Sequence, residues 1–145
     1  MYKHILLPTD GSELAERGLD HGLSLAKTLG AAATVIVVTV PLSGFALQGM
    51  MEAAALGAYD DSVADELGKL KNHIADEAAK IGIAIDFVNV VDVSPASAIL
   101  DVATQKNCDL IVISSHGRRG ISRLMLGSQT AEVLSGSSIP VLVIK

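Results

Sequence analysis

The stretch DLIVISSHGRRGISRLMLGSQT, Asp109 to Thr130, runs from a short apolar segment through a loop rich in glycine and arginine into a helical pattern. The apolar segment is unbroken rather than alternating, as expected of a strand covered on both faces, and the Gly127-Ser128 pair reads as a helix start. Strand, glycine loop and helix in that order form the repeating unit of a parallel α/β sheet. The same unit recurs in both directions along the chain. Further strands are expected at KHILLP (Lys3 to Pro8), TVIVVTV (Thr34 to Val40), AIDFVNVV (Ala84 to Val91) and PVLVIK (Pro140 to Lys145). Between the first two, Leu14, Ala15, Gly18, Leu19, Gly22, Leu25, Ala26 and Leu29 follow a 3.6-residue period, behind a Ser12 cap and ahead of Gly30. A second helix is expected from about Ser62 to Ile81, closed by Gly82. A third opens with Ser94 as cap and Pro95 in its first turn, and a fourth begins near Ser128. No boundary, repeat or low-complexity tract divides the chain, so residues 1–145 read as one domain.

Composition restricts what such a domain can do. Half of the 145 residues are hydrophobic but only 3% are aromatic, so the core is Val, Ile, Leu and Ala, and a flat ligand ring meets aliphatic walls. A net charge of -5 argues against nucleic acid, whose binding relies on a basic face. One cysteine, Cys108, excludes an intrachain disulfide, and the four histidines are too scattered for a local metal motif. No charge occurs between Lys27 and Glu52, a length that raises the question of a membrane span. Gly30, Pro41, Gly44 and Gly49 interrupt it, and its continuous apolar part is strand-sized and β-branched. MYKHILLPTD lacks the features of a signal peptide, so a cytoplasmic protein without membrane insertion is expected.

In open sheets of this class, ligands bind beyond the carboxyl ends of the strands, where the strand order reverses. Two loops qualify: PTDGS after the first strand and SSHGRRGISRLMLGS after the fourth. At the second, the backbone N–H groups of Gly127, Ser128 and Gln129 are expected to be free and to favour an anion such as phosphate. Gly117 and Gly120 let the loop fold over the same anion, and Arg118, Arg119 and Arg123 bring positive charge. The bland alternative is that these glycines only turn the chain. In the first loop, Asp10 is placed to accept hydrogen bonds from a ribose, although Asp before Gly-Ser is also an ordinary turn residue.

ILLPTDGSELAERGL, IVISSHGRRGISRLMLGSQTAEVL and IPVLVIK together resemble the nucleotide-binding kind of universal stress protein over the whole chain. The family's phosphate motif is Gly-x2-Gly-x9-Gly followed by Ser or Thr. Gly117, Gly127 and Ser128 match it, and Ser114 stands where the first glycine belongs. The resemblance implies an open five-stranded parallel sheet of order 3-2-1-4-5, Rossmann-like, with helices on both faces. It also implies that Pro8, Thr9 and Asp10 approach an adenosine, and that Val40 and Ile113 lie near base and ribose. Gln129 would offer its backbone N–H to phosphate, with ATP or another adenine nucleotide as the ligand. A homodimer through the C-terminal strand is implied as well.

Three functions follow as expectations. The first is an ATP-binding regulatory module of the stress response, acting on a protein partner through Pro41 to Asp61. That segment reads either as a cover containing Met50 and Met51 or as a backward extension of the second helix. The second is a slow ATPase or phosphotransferase, with Asp10 holding Mg²⁺ and His116 or water moving protons. The third is an interaction protein whose nucleotide site is degenerate at Ser114. No P-loop or pyrophosphate loop of adenylating enzymes occurs, and the residues point to binding over turnover. His116 reads more readily as a hydrogen-bonded loop residue or phosphate neighbour, and Cys108 as a small buried side chain.

Overall fold

A computed structural model describes residues 1–41, 53–117 and 126–145. Along these, the elements are β1 (His4–Pro8), α1 (Glu13–Leu29), β2 (Ala32–Thr39), α2 (Ala53–Ile81) and β3 (Ile85–Val91), then α3 (Pro95–Gln105), β4 (Leu110–Ser114), α4 (Ser128–Gly136) and β5 (Val141–Ile144). All neighbouring strands are parallel and their order is β3-β2-β1-β4-β5, as the resemblance implied. β1 is flanked by β2 and β4, so the chain reverses its direction of travel across the sheet there.

Alternate residues of each central strand face opposite layers, which is why the strands read as unbroken apolar runs. Ile5, Leu7, Val35, Leu110 and Val112 pack with Leu19, Leu23 and Ala26 of α1 and Ile74 of α2. Leu6, Ile36, Ile111 and Ile113 face the other way, against Ala96, Ile99, Val102 and Ala103 of α3 and Val133 of α4. Local chemistry sets the helix ends. Ser12 and Ser94 cap α1 and α3, and Gly30 closes α1 in the left-handed conformation. The Lys27 ammonium then donates to the carbonyls of Ile81 and Gly82, tying the ends of α1 and α2 together.

One boundary differs from the sequence expectation. α2 begins at Ala53 rather than near Ser62, so the backward extension holds for Ala53 to Asp61. Residues 42–52 of the expected cover, including Met50 and Met51, lie outside the described residues, as do Gly120, Arg118, Arg119 and Arg123. Of the described α2 side chains only Ile74 and Ala78 are fully buried, and its first half is largely exposed. No helix among the described residues is long and apolar enough to cross a membrane.

Candidate functional site

The ends of β1 and β4 are built as two pinned loops. In the first, Thr9 donates its N–H to the Ile36 carbonyl at 3.0 Å and accepts the Gly11 N–H on Oγ1 at 3.2 Å. Asp10 Oδ1 accepts the Ser12 N–H at 3.0 Å, which orients the carboxylate at the start of α1. In the second, the Ser115 N–H donates to the Ile144 carbonyl at 2.7 Å and Ser114 Oγ to the His116 carbonyl at 2.9 Å. The chain returns to the same place after the loop: the Gly127 N–H donates to the Ser115 carbonyl at 2.8 Å, and Thr130 Oγ1 to that of Ser114 at 2.9 Å.

The two loops touch through a glycine. A Cβ on Gly117 would lie 2.5 Å from Asp10 Oδ2, so only a hydrogen in that position lets the carboxylate come this close. Gly127 has a similar reason, since its Cβ would stand 3.2 Å from the Ser115 carbonyl and 3.5 Å from His116 Cα. Its φ of -60° is open to any residue, so contact rather than backbone conformation selects glycine there.

Three helices that follow strands begin at this edge of the sheet, and their first turns differ. Ser12 Oγ accepts the Ala15 N–H at 3.2 Å, and Glu13 and Glu16 place negative charge at the positive end of α1. α3 starts with Pro95, which has no N–H; Ala96 donates to Gln129 Oε1 at 3.0 Å and Ser97 to Ser94 Oγ at 3.4 Å. α4 has neither a side-chain cap nor an acidic residue in its first turn. Its ladder opens only with the Ala131 N–H on the Gly127 carbonyl at 2.9 Å. The amides of Ser128 and Gln129 thus remain as donors at the one N-terminus of the three with neither a side-chain cap nor an acidic residue in its first turn, the arrangement that favours an anion.

These elements enclose a cleft of about 520 Å³, within the size range of small-molecule sites. Every expected site residue lines it: Pro8, Thr9, Asp10, Val40, Ile113, Ser114, Gly117, Gly127, Ser128 and Gln129. Ile36, Val38, Val93, Pro95 and Ile99 form an aliphatic wall on the β2 and α3 side, and Ala15 and Thr130 complete the lining; none was singled out from sequence. Ser94-Pro95 was legible as a helix start, but its place beside the cleft comes from the crossover. Val40 lies one residue past β2 and is 52% exposed.

One expectation needs correction. The Gly127 N–H is not free, because it holds the loop closed on Ser115, so the open amides begin at Ser128. Beyond the backbone N–H expected of it, Gln129 caps α3 through its side chain. Ser114 ends β4, is buried and has no positive φ, so its Cβ meets no backbone penalty. His116 is buried with Nδ1 3.1 Å from Ser115 Oγ and does not line the cleft. Among the described residues, no group of three His, Cys, Asp or Glu side chains is placed to hold a metal. Cys108 lies by a second cavity of about 270 Å³ between the ends of α3 and α4. Burial, with help from Asp109, pushes its thiol up to about 11, so it stays protonated and unreactive at neutral pH.

The sequence profile of the universal stress protein family matches residues 1–145. Universal stress protein MJ0577 of Methanocaldococcus jannaschii is 30% identical over 157 aligned positions, covering 100% of this chain and 96% of that one. The solved structure of MJ0577 matches with a TM-score of 0.81 at 28% identity, over 100% of this chain and 96% of its own. A universal stress protein solved in complex with cAMP matches with a TM-score of 0.71 at 22% identity, over 99% of this chain and 97% of that one. The Archaeoglobus fulgidus universal stress protein in complex with dAMP gives 0.66 at 23% identity, over 99% and 98%.

Proposed function

The chain belongs to the universal stress protein family, and from that premise we propose that its cleft binds an adenine nucleotide, ATP in particular, as the signal of a regulatory module. The observation that carries this reading is the uncapped start of α4 on the wall of the cleft, opposite an aliphatic surface. The phosphates take the Ser128 and Gln129 amides and the Ser128 hydroxyl. The base lies against Val38, Val40, Val93, Pro95 and Ile99, and Asp10 accepts from the ribose. Two proteins of the same fold carry cAMP and dAMP, which supports adenine as the base. Asp10 is the single carboxylate among the described residues lining the cleft, so an accompanying Mg²⁺ would take most of its oxygens from phosphate and water.

Turnover is slow or absent in this reading, because the described lining contains neither lysine nor histidine to move a proton. Protein purified without added nucleotide, then denatured, should release an adenine nucleotide identifiable by mass spectrometry, and calorimetry should show ATP binding. Empty protein that also fails to bind ATP, ADP, AMP or cAMP in calorimetry overturns the reading.

We place the module in the cytoplasm as a homodimer. β5 is an edge strand whose Val141, Leu142, Val143 and Ile144 are all half-buried, and such an edge pairs readily with a second copy about a two-fold axis. Val141→Lys or Val143→Lys should shift the protein toward monomer in light scattering. A monomeric wild type at micromolar concentration would remove β5 as the interface. The segment Pro41 to Asp61 is the proposed surface for a protein partner.

A further inference from the structure

Gln129 is held differently from the other polar residues of the cleft. It follows Ser128 at the open end of α4, yet its carboxamide crosses to the start of α3, where Oε1 accepts the Ala96 N–H at 3.0 Å. A backbone N–H only donates, so the atom facing Ala96 must be the carboxamide oxygen. Nε2 therefore occupies the other branch of the carboxamide, carrying two hydrogens that no group among the described residues accepts. Gln129 lines the cleft together with Ser128 and with Pro95, the neighbour of Ala96 along the chain.

We propose that Gln129 is a specificity-determining residue of the cleft, whose Nε2 donates to the phosphate nearest the ribose. This rests on the nucleotide-binding reading above and adds a side-chain contact to the amide cradle. The direction of the side chain selects the phosphate. It leaves α4, where the outer phosphates meet the Ser128 and Gln129 amides, and runs toward Pro95 and the aliphatic wall that takes the base. The group in between is the first phosphate, common to AMP, ADP and ATP. Anchorage to Ala96 gives two advantages. The side chain is already ordered, so little rotamer freedom is lost on binding, and accepting a hydrogen bond at Oε1 polarises Nε2 as a donor.

The test compares adenosine, AMP and ATP on the wild type, Gln129→Ala and Gln129→Glu, by calorimetry or by displacement of a fluorescent AMP analogue. Glu keeps an oxygen for the Ala96 N–H and replaces the donor with a carboxylate, so its thermal unfolding should stay close to wild type. Gln129→Ala should weaken AMP and ATP alike by about 10-fold, as expected for loss of a hydrogen bond to a charged acceptor. Gln129→Glu should weaken both further, and adenosine should change by less than about 2-fold in either variant, since it lacks the acceptor. Equal losses for adenosine and AMP overturn the proposal in favour of a purely structural cap. So does wild-type AMP affinity in both variants. A wild type that binds neither AMP nor ATP fails at the earlier step, the nucleotide reading itself.

Discussion

Replacing Gly117 by alanine tests whether the two loops are mechanically joined. The new Cβ would stand 2.5 Å from Asp10 Oδ2, whereas a carbon and an oxygen in contact settle near ~3.3 Å, so one of them must move by roughly 0.8 Å. Asp10 resists because its other oxygen holds the Ser12 N–H at 3.0 Å. Backbone strain does not enter, since the described positive-φ glycines are Gly11, Gly30 and Gly82. Forcing a methyl into such a contact costs about 1–3 kcal/mol, and restricting the unfolded chain returns ~0.4–1 kcal/mol. The net loss is about 0.5–2 kcal/mol, or about 2–7 °C in Tm for a chain of this length. Asp10→Ser removes Oδ2 but keeps a hydroxyl for the Ser12 N–H, so in that background Gly117→Ala should be neutral or slightly stabilising. Urea unfolding of the four proteins forms a double-mutant cycle with an expected coupling of at least about 1 kcal/mol. Effects that add to within about 0.5 kcal/mol would show that Asp10 and Gly117 do not press on each other, and the joined-loop argument fails.

Gly127→Val pushes on the Ser115 carbonyl and His116 Cα and should weaken ATP binding at least ~10-fold, about 1.4 kcal/mol; unchanged affinity in a folded variant refutes the cradle. Ser114→Gly removes the hydroxyl bond to the His116 carbonyl and should cost about 0.5–1.5 kcal/mol in urea unfolding. Its ATP affinity should stay near wild type, and far tighter binding would mean that Ser114 disables the site. For Asp109, burial alone would raise the pKa, but hydrogen bonds from the backbone N–H groups of His4 and Lys3 outweigh it and hold the carboxyl below its usual range. A lowered folded pKa stabilises above the ordinary Asp value and is lost as pH falls through the folded one. Asp109→Asn should therefore unfold at lower urea than wild type at neutral pH, with the gap closing below about pH 4; a gap that persists in acid points to packing instead.

The features legible in sequence were those fixed by neighbours along the chain. Ser12, Gly30, Ser94 and Pro95 announced helix ends through local hydrogen bonding and φ preference, and the strand runs announced two-sided burial. The open start of α4 belongs to the same class, since Gly127 supplies no capping side chain. What remained hidden depends on groups distant in sequence. The Gly127 amide is consumed by Ser115, twelve positions earlier, because the loop closes on itself. Gln129 reaches Ala96 only because α3 and α4 share one face of the sheet. Val93, Pro95 and Ile99 enter the cleft wall by the crossover from β3. The start of α2 was ambiguous for another reason: MMEAAALGAY has good helix formers, but the side chains described there, from Ala55 to Tyr59, are mostly exposed, so propensity without burial gave no boundary.

That same imbalance makes α2 a graded structure. Its 29 residues span about 44 Å, while the 7-residue β3 beside it spans about 23 Å. Its anchors gather late, at Leu70 over Gly11, at the His73 ring on Glu16, at buried Ile74 and Ala78, and at the Lys27 tie. Amide exchange should accordingly slow from one end to the other, with protons near Leu56 lost to solvent through local fraying and those near Ile74 released only when the core itself opens. Leu70 on Gly11 sits at the crossover between the two regimes, directly behind the loop that carries Asp10.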